Sequence, residues 1–222
     1  MEIQNTKIAI IGGTGKEGKG LAYRWAKAGY PMIIGSRQKE KAEATAEEIN
    51  KMLPNQKNKV TGMENLDAVK ACDIAVLTVP FTFHKDMLTQ IKPVLGEKIL
   101  IDVTVPIVPP KVTKVQMPPD GSAAMEAKKI LGEDAKIVSA FQNISYEKLL
   151  TDQDVECDVL VSGDKESRQL VIKMIEDIGL TAWDAGPLEN SVVAEGLTSI
   201  LIGINKKLGI QSAGIKITGI AS

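Results

Sequence analysis

A glycine-rich turn near the start of the chain constrains the fold more than any other feature. The segment at residues 7–20 reads KIAIIGGTGKEGKG, so a short apolar run leads directly into Gly13, Gly15 and Gly18 in the spacing G-x-G-x-x-G. Residues 21–28 then have the pattern of a helix. A strand, a glycine turn and a helix in this order are what a dinucleotide-binding unit requires. Plain strand-to-helix connectors also use glycines, so a structural turn is the alternative.

Each glycine of the motif has its own expected role. Gly13 permits the tight turn, Gly15 lets a pyrophosphate approach the backbone, and Gly18 lets the helix pack closely on the strand. The N-terminus of the helix then offers free N–H groups and partial positive charge to the phosphates. We therefore expect these three glycines to form a phosphate-binding turn.

The end of the second predicted strand indicates which dinucleotide is bound. Residues 31–35 read PMIIG, and Ser36 and Arg37 follow them. An NAD site usually carries Asp or Glu here to bind the ribose 2′-hydroxyl, whereas this chain carries a hydroxyl, a guanidinium and, one helical turn later, Lys41. These groups suit a 2′-phosphate. We predict NADP binding through the three residues; a solvated basic start of the next helix is the alternative.

Composition narrows the range of partners. The chain has 222 residues, a formal net charge of −1 and 4% aromatic residues, so we expect no nucleic-acid surface. No apolar stretch reaches membrane-spanning length, and we expect no membrane partner. Cys72 and Cys157 lie far apart and fit no metal-ligand spacing. They indicate buried thiols, no metal site and a cytoplasmic protein.

Beyond the first two strands, apolar runs alternate with helical patterns. Further strands are predicted at residues 59–63, 73–80, 98–103, 137–141, Asp158–Gly163 and 180–185. Further helices are predicted at residues 38–52, 64–71, 81–91 (ended by Pro93), 122–131 (capped by Ser122), 165–178 and 188–208. This alternation predicts an α/β fold with a doubly wound, Rossmann-type parallel sheet. Ligands bind at the carboxyl ends of such strands. The residues expected at the cofactor crevice are therefore Thr78, Val79, Pro80, Thr104, Val105 and Pro106.

Three segments have less regular patterns. Residues 104–120 contain five prolines and are predicted to form a long loop. Two interpretations of this loop remain: a functional loop, as is common at this length, and a plain surface excursion. The helix at residues 188–208 is too apolar for a surface helix, so we expect it between domains or subunits. The tail at residues 213–220 reads AGIKITGI and fits a short strand or an ordered loop.

Six motifs together resemble one enzyme family. They are GGTGKEGKGLA, IIGSRQKEKA, CDIAVLTVP, the GSAA of residues 121–124, DAGPLEN and the terminal AGIKIT. Over nearly its whole length the chain resembles the NADPH-dependent reductases of coenzyme F420, an 8-hydroxy-5-deazaflavin. The resemblance implies an NADP-binding Rossmann domain at residues 1–142. It also implies a small C-terminal α+β domain at residues 143–222, which completes the deazaflavin pocket and the subunit interface of a homodimer.

The resemblance further implies roles for individual residues. It assigns the pyrophosphate turn to Thr14, Gly15, Lys16 and Glu17. It places Val79 and Val105 beside the cofactor, and it places Ala213 near the nicotinamide. It identifies Asn143, Ile144 and Ser145 as candidate residues for binding the deazaflavin. Some relatives carry His at the position of Gln142, which leaves the role of Gln142 open.

The implied reaction moves a hydride between nicotinamide C4 and deazaflavin C5, so the protein supplies position and electrostatics rather than a catalytic side chain. We find no Ser/His/Asp set in the sequence. His84, the single histidine, is interpreted as a hydrogen-bonding or packing residue. Two alternatives remain. One is an NADP-dependent hydroxyacid or imine reductase, with Lys148 as a candidate proton donor; the other is a non-catalytic NADPH-binding module.

Overall fold

An eight-stranded sheet with helices on both faces forms the framework. The computed structural model describes residues 5–152 and 154–219. The strands are β1 (Ile8–Ile11), β2 (Met32–Ser36), β3 (Thr61–Glu64), β4 (Ile74–Leu77), β5 (Ile99–Asp102), β6 (Ile137–Ser139), β7 (Asp158–Gly163) and β8 (Thr181–Asp184). The helices are α1 (Lys16–Lys27), α2 (Lys39–Met52), α3 (Asn65–Ala71), α4 (His84–Leu95), α5 (Ala123–Leu131), α6 (Tyr146–Leu149), α7 (Lys165–Glu176) and α8 (Ser191–Leu208).

The strand order confirms the predicted doubly wound α/β fold. The sheet runs β3-β2-β1-β4-β5-β6-β7-β8, and every neighbouring pair is parallel except β6 and β7. The chain starts in the middle of the sheet and reverses its winding direction between β3 and β4. Such a reversal opens a crevice at the carboxyl ends of the central strands.

The two faces of the sheet carry separate cores, as alternation along a strand requires. Ile8 and Ile10 of β1 point into the core that contains α1, α2 and α7, while Ala9 and Ile11 point into the core that contains α3, α4 and α5. All four β1 residues are fully buried. This burial on both faces explains why the strand reads as an unbroken apolar run.

Helix α4 differs from its prediction. Phe81–Phe83 form a single turn of 3₁₀ helix, and α4 then runs from His84 through Pro93 to Leu95. The prediction that Pro93 ends this helix was therefore wrong. In the last turn a proline removes one N–H, but the residues after it can still donate to carbonyls one turn earlier. The buried side chain of Leu95 favours completing that turn.

The C-terminal tail is an irregular but anchored segment. The N–H of Asp158 donates to the Ile215 carbonyl over 2.8 Å, and the Asp158 carboxylate accepts the N–H of Ile217 over 2.7 Å. Of the two alternatives for this tail, the ordered loop is confirmed over residues 213–219, and residue 220 lies outside the described residues. Within the described part of the chain, every helix is too short or too polar to cross a bilayer.

Candidate functional site

The turn after β1 uses its glycines in a slightly different way from the prediction. The left-handed residue of the tight turn is Gly12, with φ of 76°, a role that the sequence analysis assigned to no residue. Gly13 is required for space instead, because a Cβ there would lie 2.8 Å from the carbonyl oxygen of Ile10. The apolar run and the following glycines could not reveal which glycine takes the positive φ, because both neighbours permit it.

Gly15 and Gly18 have opposite surroundings. A Cβ on Gly18 would lie 2.8 Å from both the Gly13 Cα and the Thr78 hydroxyl oxygen, so α1 packs against the strands without room for a side chain. A Cβ on Gly15 would meet only the Gly12 carbonyl oxygen, at 3.8 Å. Gly15 is also the N-cap of α1, and no side chain in the described part of the protein caps that helix. The fold thus leaves an open approach to the helix N-terminus, which is the expected place for a phosphate.

The residues predicted for the 2′-phosphate lie at the carboxyl end of β2 and the start of α2. Ser36 is buried and accepts a hydrogen bond from the Gln38 N–H, whereas Arg37 and Lys41 are exposed. The Arg37 guanidinium lies over the ring of Phe83, 5.4 Å from its centroid. Neither basic side chain makes an ion pair with the described residues. Both charges are therefore available to an anion at this end of the crevice.

A cavity of about 530 Å³ opens at the carboxyl ends of β4, β5 and β6. Helices α6 and α8 and the C-terminal tail form its other walls. Ten of the residues predicted at the cofactor site line it: Glu17, Thr78, Val79, Pro80, Thr104, Val105, Asn143, Ile144, Ser145 and Ala213. Pro106, in the loop after β5, lies outside its wall. The remaining predicted residues also lie outside it, along the carboxyl ends of β1 and β2: Gly13, Thr14, Gly15, Lys16, Gly18, Ser36, Arg37 and Lys41.

One face of α8 lines the cavity, and the sequence did not identify it. The lining residues of this helix are Thr198, Leu201, Ile202 and Asn205. They follow the spacing i, i+3, i+4, i+7, which is one stripe of a helix. That spacing was the available signal, although it does not distinguish a pocket wall from core packing. The loop at residues 104–120 also contributes, since Ile107 and Pro109 line the cavity as well.

Three side-chain oxygens beneath the cavity wall have no hydrogen-bond partner among the described residues. They are Thr104 Oγ1, Gln142 Oε1 and Asn143 Oδ1, and all three residues line the cavity. Buried polar atoms are normally paired, so a cluster of unpaired ones beside a cavity indicates a polar ligand. The cavity therefore offers hydrogen-bonding capacity in addition to apolar walls.

A strained residue directs the chain into the cavity after β6. Phe141 has φ of 76°, which is uncommon for a residue other than glycine. Its ring is fully buried and packs edge to face on Trp25, with 5.6 Å between the centroids. The strand therefore ends at Ser139 rather than at residue 141 as predicted, and the turn brings Gln142 and Asn143 to the cavity wall.

His84 belongs to a buried charge network behind the cavity. Its Nε2 lies 2.7 Å from an Asp102 carboxylate oxygen, and its Nδ1 lies 3.0 Å from a Glu126 oxygen. Burial opposes protonation, but the two carboxylates outweigh it and raise the pKa of His84 to about 9. The interpretation of His84 as a hydrogen-bonding residue is confirmed. It does not line the cavity, so it makes no contact with a molecule bound there.

Two titratable side chains, Glu17 and Tyr146, line the described part of the cavity wall. Loss of solvent around Glu17 raises the pKa of its carboxyl to about 8. Lys148 does not line this cavity and contributes to two smaller ones instead. A proton donor for the rival reductase reaction would therefore be Glu17 rather than Lys148.

Comparison with known proteins identifies the family. Residues 7–106 match the family described as NADP oxidoreductase, coenzyme F420-dependent. The chain is 41% identical to the F420-dependent NADP reductase of Methanocaldococcus jannaschii, over 96% of this chain and 99% of that protein. It is 39% identical to the enzyme of the same name from Methanothermobacter marburgensis, again over 96% and 99%.

A solved structure supports the fold independently. The crystal structure of a candidate F420-dependent NADP reductase from Arthrobacter sp. FB24 superposes with a TM-score of 0.78, covering 96% of this chain and all of that one. At 23% sequence identity, this superposition shows that the two chains share a fold. Together with the near full-length relatives, the glycine turn and the adjoining cavity, this establishes that the chain belongs to the family of F420-dependent NADP reductases.

Proposed function

We propose that this protein transfers a hydride between NADP(H) and coenzyme F420. The observation that carries the proposal is the shared cavity: Glu17 of the phosphate turn and Asn143–Ser145 of the predicted deazaflavin segment line the same 530 Å³ space. The relatives at 39–41% identity are named for this reaction. A dinucleotide extending from the turn along β4 would bring its nicotinamide into that space.

The residues present fit both molecules. The open space at Gly15 and the uncapped N-terminus of α1 accommodate a pyrophosphate, while Val79, Val105 and Ile144 supply apolar surface to flat rings. The unpaired oxygen of Asn143 adds a hydrogen-bond acceptor beside these surfaces. When bound, nicotinamide C4 and deazaflavin C5 supply the hydride donor and acceptor.

The chain's own contribution is orientation and exclusion of water. Rings held face to face at van der Waals distance make an otherwise bimolecular step effectively unimolecular, which is a large catalytic effect. We assign no catalytic acid or base. His84 lies behind the wall and serves the fold, and Ala213 is held at the cavity by an N–H bond of 2.9 Å to Asn205.

Selection of NADP over NAD is assigned to Ser36, Arg37 and Lys41. Stacking of the Arg37 guanidinium on Phe83 restricts its motion, so less entropy is lost when a 2′-phosphate binds. An exposed cation–π contact of this kind contributes about 0.5–1 kcal/mol. Phe83 is thus proposed to support the specificity of Arg37 without touching the phosphate.

We further propose that the protein is a homodimer that pairs through α8. Beside its cavity-lining face, this helix exposes large apolar side chains at Val193, Ile200, Ile204 and Leu208. Exposed apolar patches of this kind mark protein interfaces. Light scattering at micromolar concentration should give the mass of a dimer, and Ile200→Glu should give a monomer. Met52→Glu, at an equally exposed apolar position on α2, is the matched control and should remain dimeric.

The division into two units and the compartment are also proposals. A boundary near residue 142 coincides with the change from parallel to antiparallel pairing between β6 and β7. The two parts nevertheless share a core, because Trp25 donates to the Met174 carbonyl over 3.0 Å. A cytoplasmic location is supported by Cys72 and Cys157, which are both free thiols.

One observation favours a second function, an NADP-dependent imine or hydroxyacid reductase. A neutral carboxyl at Glu17 could protonate a substrate heteroatom. Mixing the purified protein with NADPH and the deazaflavin separates the two functions. Rapid bleaching of the deazaflavin absorption band supports hydride exchange. No bleaching, with NADPH consumed by a small imine or keto acid, supports the reductase instead.

A further inference from the structure

Two oxygens beneath the cavity wall have hydrogen-bonding capacity that the described residues leave unused. Thr104 lies just past the end of β5, and Gln142 follows the turn after β6. Thr104 is 4% exposed and Gln142 is 3% exposed, and both line the cavity. Neither Thr104 Oγ1 nor Gln142 Oε1 has a hydrogen-bond partner in residues 5–152 and 154–219.

The surroundings of Gln142 fix the orientation of its amide. Its Nε2 donates to the Asp102 carbonyl over 2.8 Å and to the Ser139 hydroxyl oxygen over 2.9 Å. Both amide hydrogens are thus used, and a flipped amide would set its oxygen against the carbonyl oxygen of Asp102. The remaining atom, Oε1, can act only as an acceptor.

Thr104 is anchored through its backbone rather than its side chain. Its N–H donates to an Asp102 carboxylate oxygen over 3.0 Å, while the other carboxylate oxygen is held by His84. The hydroxyl is therefore free to donate one hydrogen bond and accept others. Because Asp102 holds both residues, Thr104 and Gln142 are kept in a fixed relation beside the cavity.

We propose that Gln142 and Thr104 recognise an amide or imide edge of a ring bound in the cavity, with Gln142 accepting its N–H and Thr104 donating to its C=O. This inference rests on the proposed function. Two groups present such an edge: the nicotinamide carboxamide and the pyrimidinedione of the deazaflavin. A site whose polar groups would be left unpaired rejects analogues that lack the matching group.

The Thr104 hydroxyl is tested by Thr104→Val, which has nearly the same shape. Because the hydroxyl has no protein partner, the melting temperature of this variant should be unchanged or higher. We expect the affinity for one of the two molecules to fall about threefold to tenfold, measured by titration calorimetry. Thr104→Ser restores the hydroxyl and should recover most of the loss. Wild-type affinities for both molecules in Thr104→Val would overturn the role of Thr104.

The Gln142 acceptor is tested with ligands that lack the N–H. One pair is NADP⁺ and its 3-acetylpyridine analogue, which carries a methyl ketone; the other is the deazaflavin and its N-alkylated imide. For one of the two pairs, we expect wild type to bind the parent about tenfold or more tightly than the analogue. In Gln142→Met this ratio of affinities should fall to about threefold or less. The pair that responds identifies which edge is read. Ser139→Ala, which removes a partner of Nε2 but keeps Oε1, should preserve the preference.

The outcomes separate this inference from the proposed function. If neither preference changes in Gln142→Met while wild type still bleaches the deazaflavin with NADPH, the inference is wrong and the proposed function stands. If wild type binds neither NADP⁺ nor the deazaflavin, both fail. Should Gln142→Met fold poorly, as judged by its melting temperature, the affinities measured in Thr104→Val decide the matter, since wild-type affinities for both molecules there also overturn the inference.

Discussion

Replacing Gly15 separates binding from folding, because the structure gives this residue room that only a ligand would use. Apart from its neighbours in the chain, no described atom would lie closer than 3.8 Å to a Cβ at Gly15, and the backbone there, with φ of −74° and ψ of 164°, suits any residue. Gly15→Val should therefore fold. Its side chain would occupy the approach to the N–H groups at the start of α1, and we expect NADPH binding to be lost.

The size of both effects follows from the contacts. Losing two charge-assisted hydrogen bonds to phosphate at about 1.5–3 kcal/mol each corresponds to roughly a hundredfold to ten-thousandfold weaker binding. Loss of the glycine N-cap changes stability by about 1 kcal/mol or less. Gly18→Ala is the contrasting variant: its Cβ would lie 2.8 Å from the Gly13 backbone. Overpacking of about 1–3 kcal/mol should there exceed the gain of about 1 kcal/mol in helix propensity.

Titration calorimetry and thermal unfolding measure the two quantities on the same samples. Gly15→Val should melt within about 4 °C of wild type and bind NADPH at least about a hundredfold more weakly. Gly18→Ala should melt lower, by up to about 8 °C. Retained NADPH affinity in a folded Gly15→Val protein would refute the assignment of this turn to the pyrophosphate.

Three further changes test other parts of the account. Arg37→Ala should weaken NADPH binding about tenfold to a hundredfold while NADH binding changes little, since a charge-assisted bond contributes about 1.5–3 kcal/mol; equal losses for both would exclude 2′-phosphate recognition. Glu17→Gln should keep turnover of NADPH with the deazaflavin within about tenfold, whereas removal of a required general acid typically costs about 10²–10⁴-fold. The pKa of His84, about 9, lies above its unfolded value of 6.5, so its stabilisation is complete below pH 6.5 and lost as the pH rises through about 9. Relative to His84→Gln, wild type should lose about 3 kcal/mol of unfolding free energy over that range; a constant difference between the two in urea unfolding would contradict the charged pair.

The sheet could be predicted because its pattern is local. Strands buried on both faces read as apolar runs, and most of them were followed by a helical pattern, so the alternation indicated a doubly wound fold. The N-cap role of Ser122 was equally local, and its hydroxyl accepts the Met125 N–H over 3.0 Å. Features that depend on three or four neighbouring residues were therefore recovered from sequence.

The remaining features depend on contacts between distant segments. His84 meets Asp102 and Glu126, which lie 18 and 42 residues away, so the sequence indicated a packing role but not its partners. The positive φ of Phe141 is stabilised by its contact with Trp25 of α1. The wall formed by α8 required knowing where that helix crosses the sheet. In each case tertiary packing supplied information that no local pattern contains.

The most direct test of hydride exchange follows the hydrogen itself. NADPH carrying deuterium at both C4 positions is mixed with the protein and oxidised deazaflavin in ordinary water, and the reduced deazaflavin is analysed by mass spectrometry and NMR. The account predicts one deuterium at C5, without loss to solvent, together with bleaching of the deazaflavin band. Reduced deazaflavin that carries solvent hydrogen at C5, or a deazaflavin band that does not change while NADPH is bound, would contradict direct transfer between the two rings.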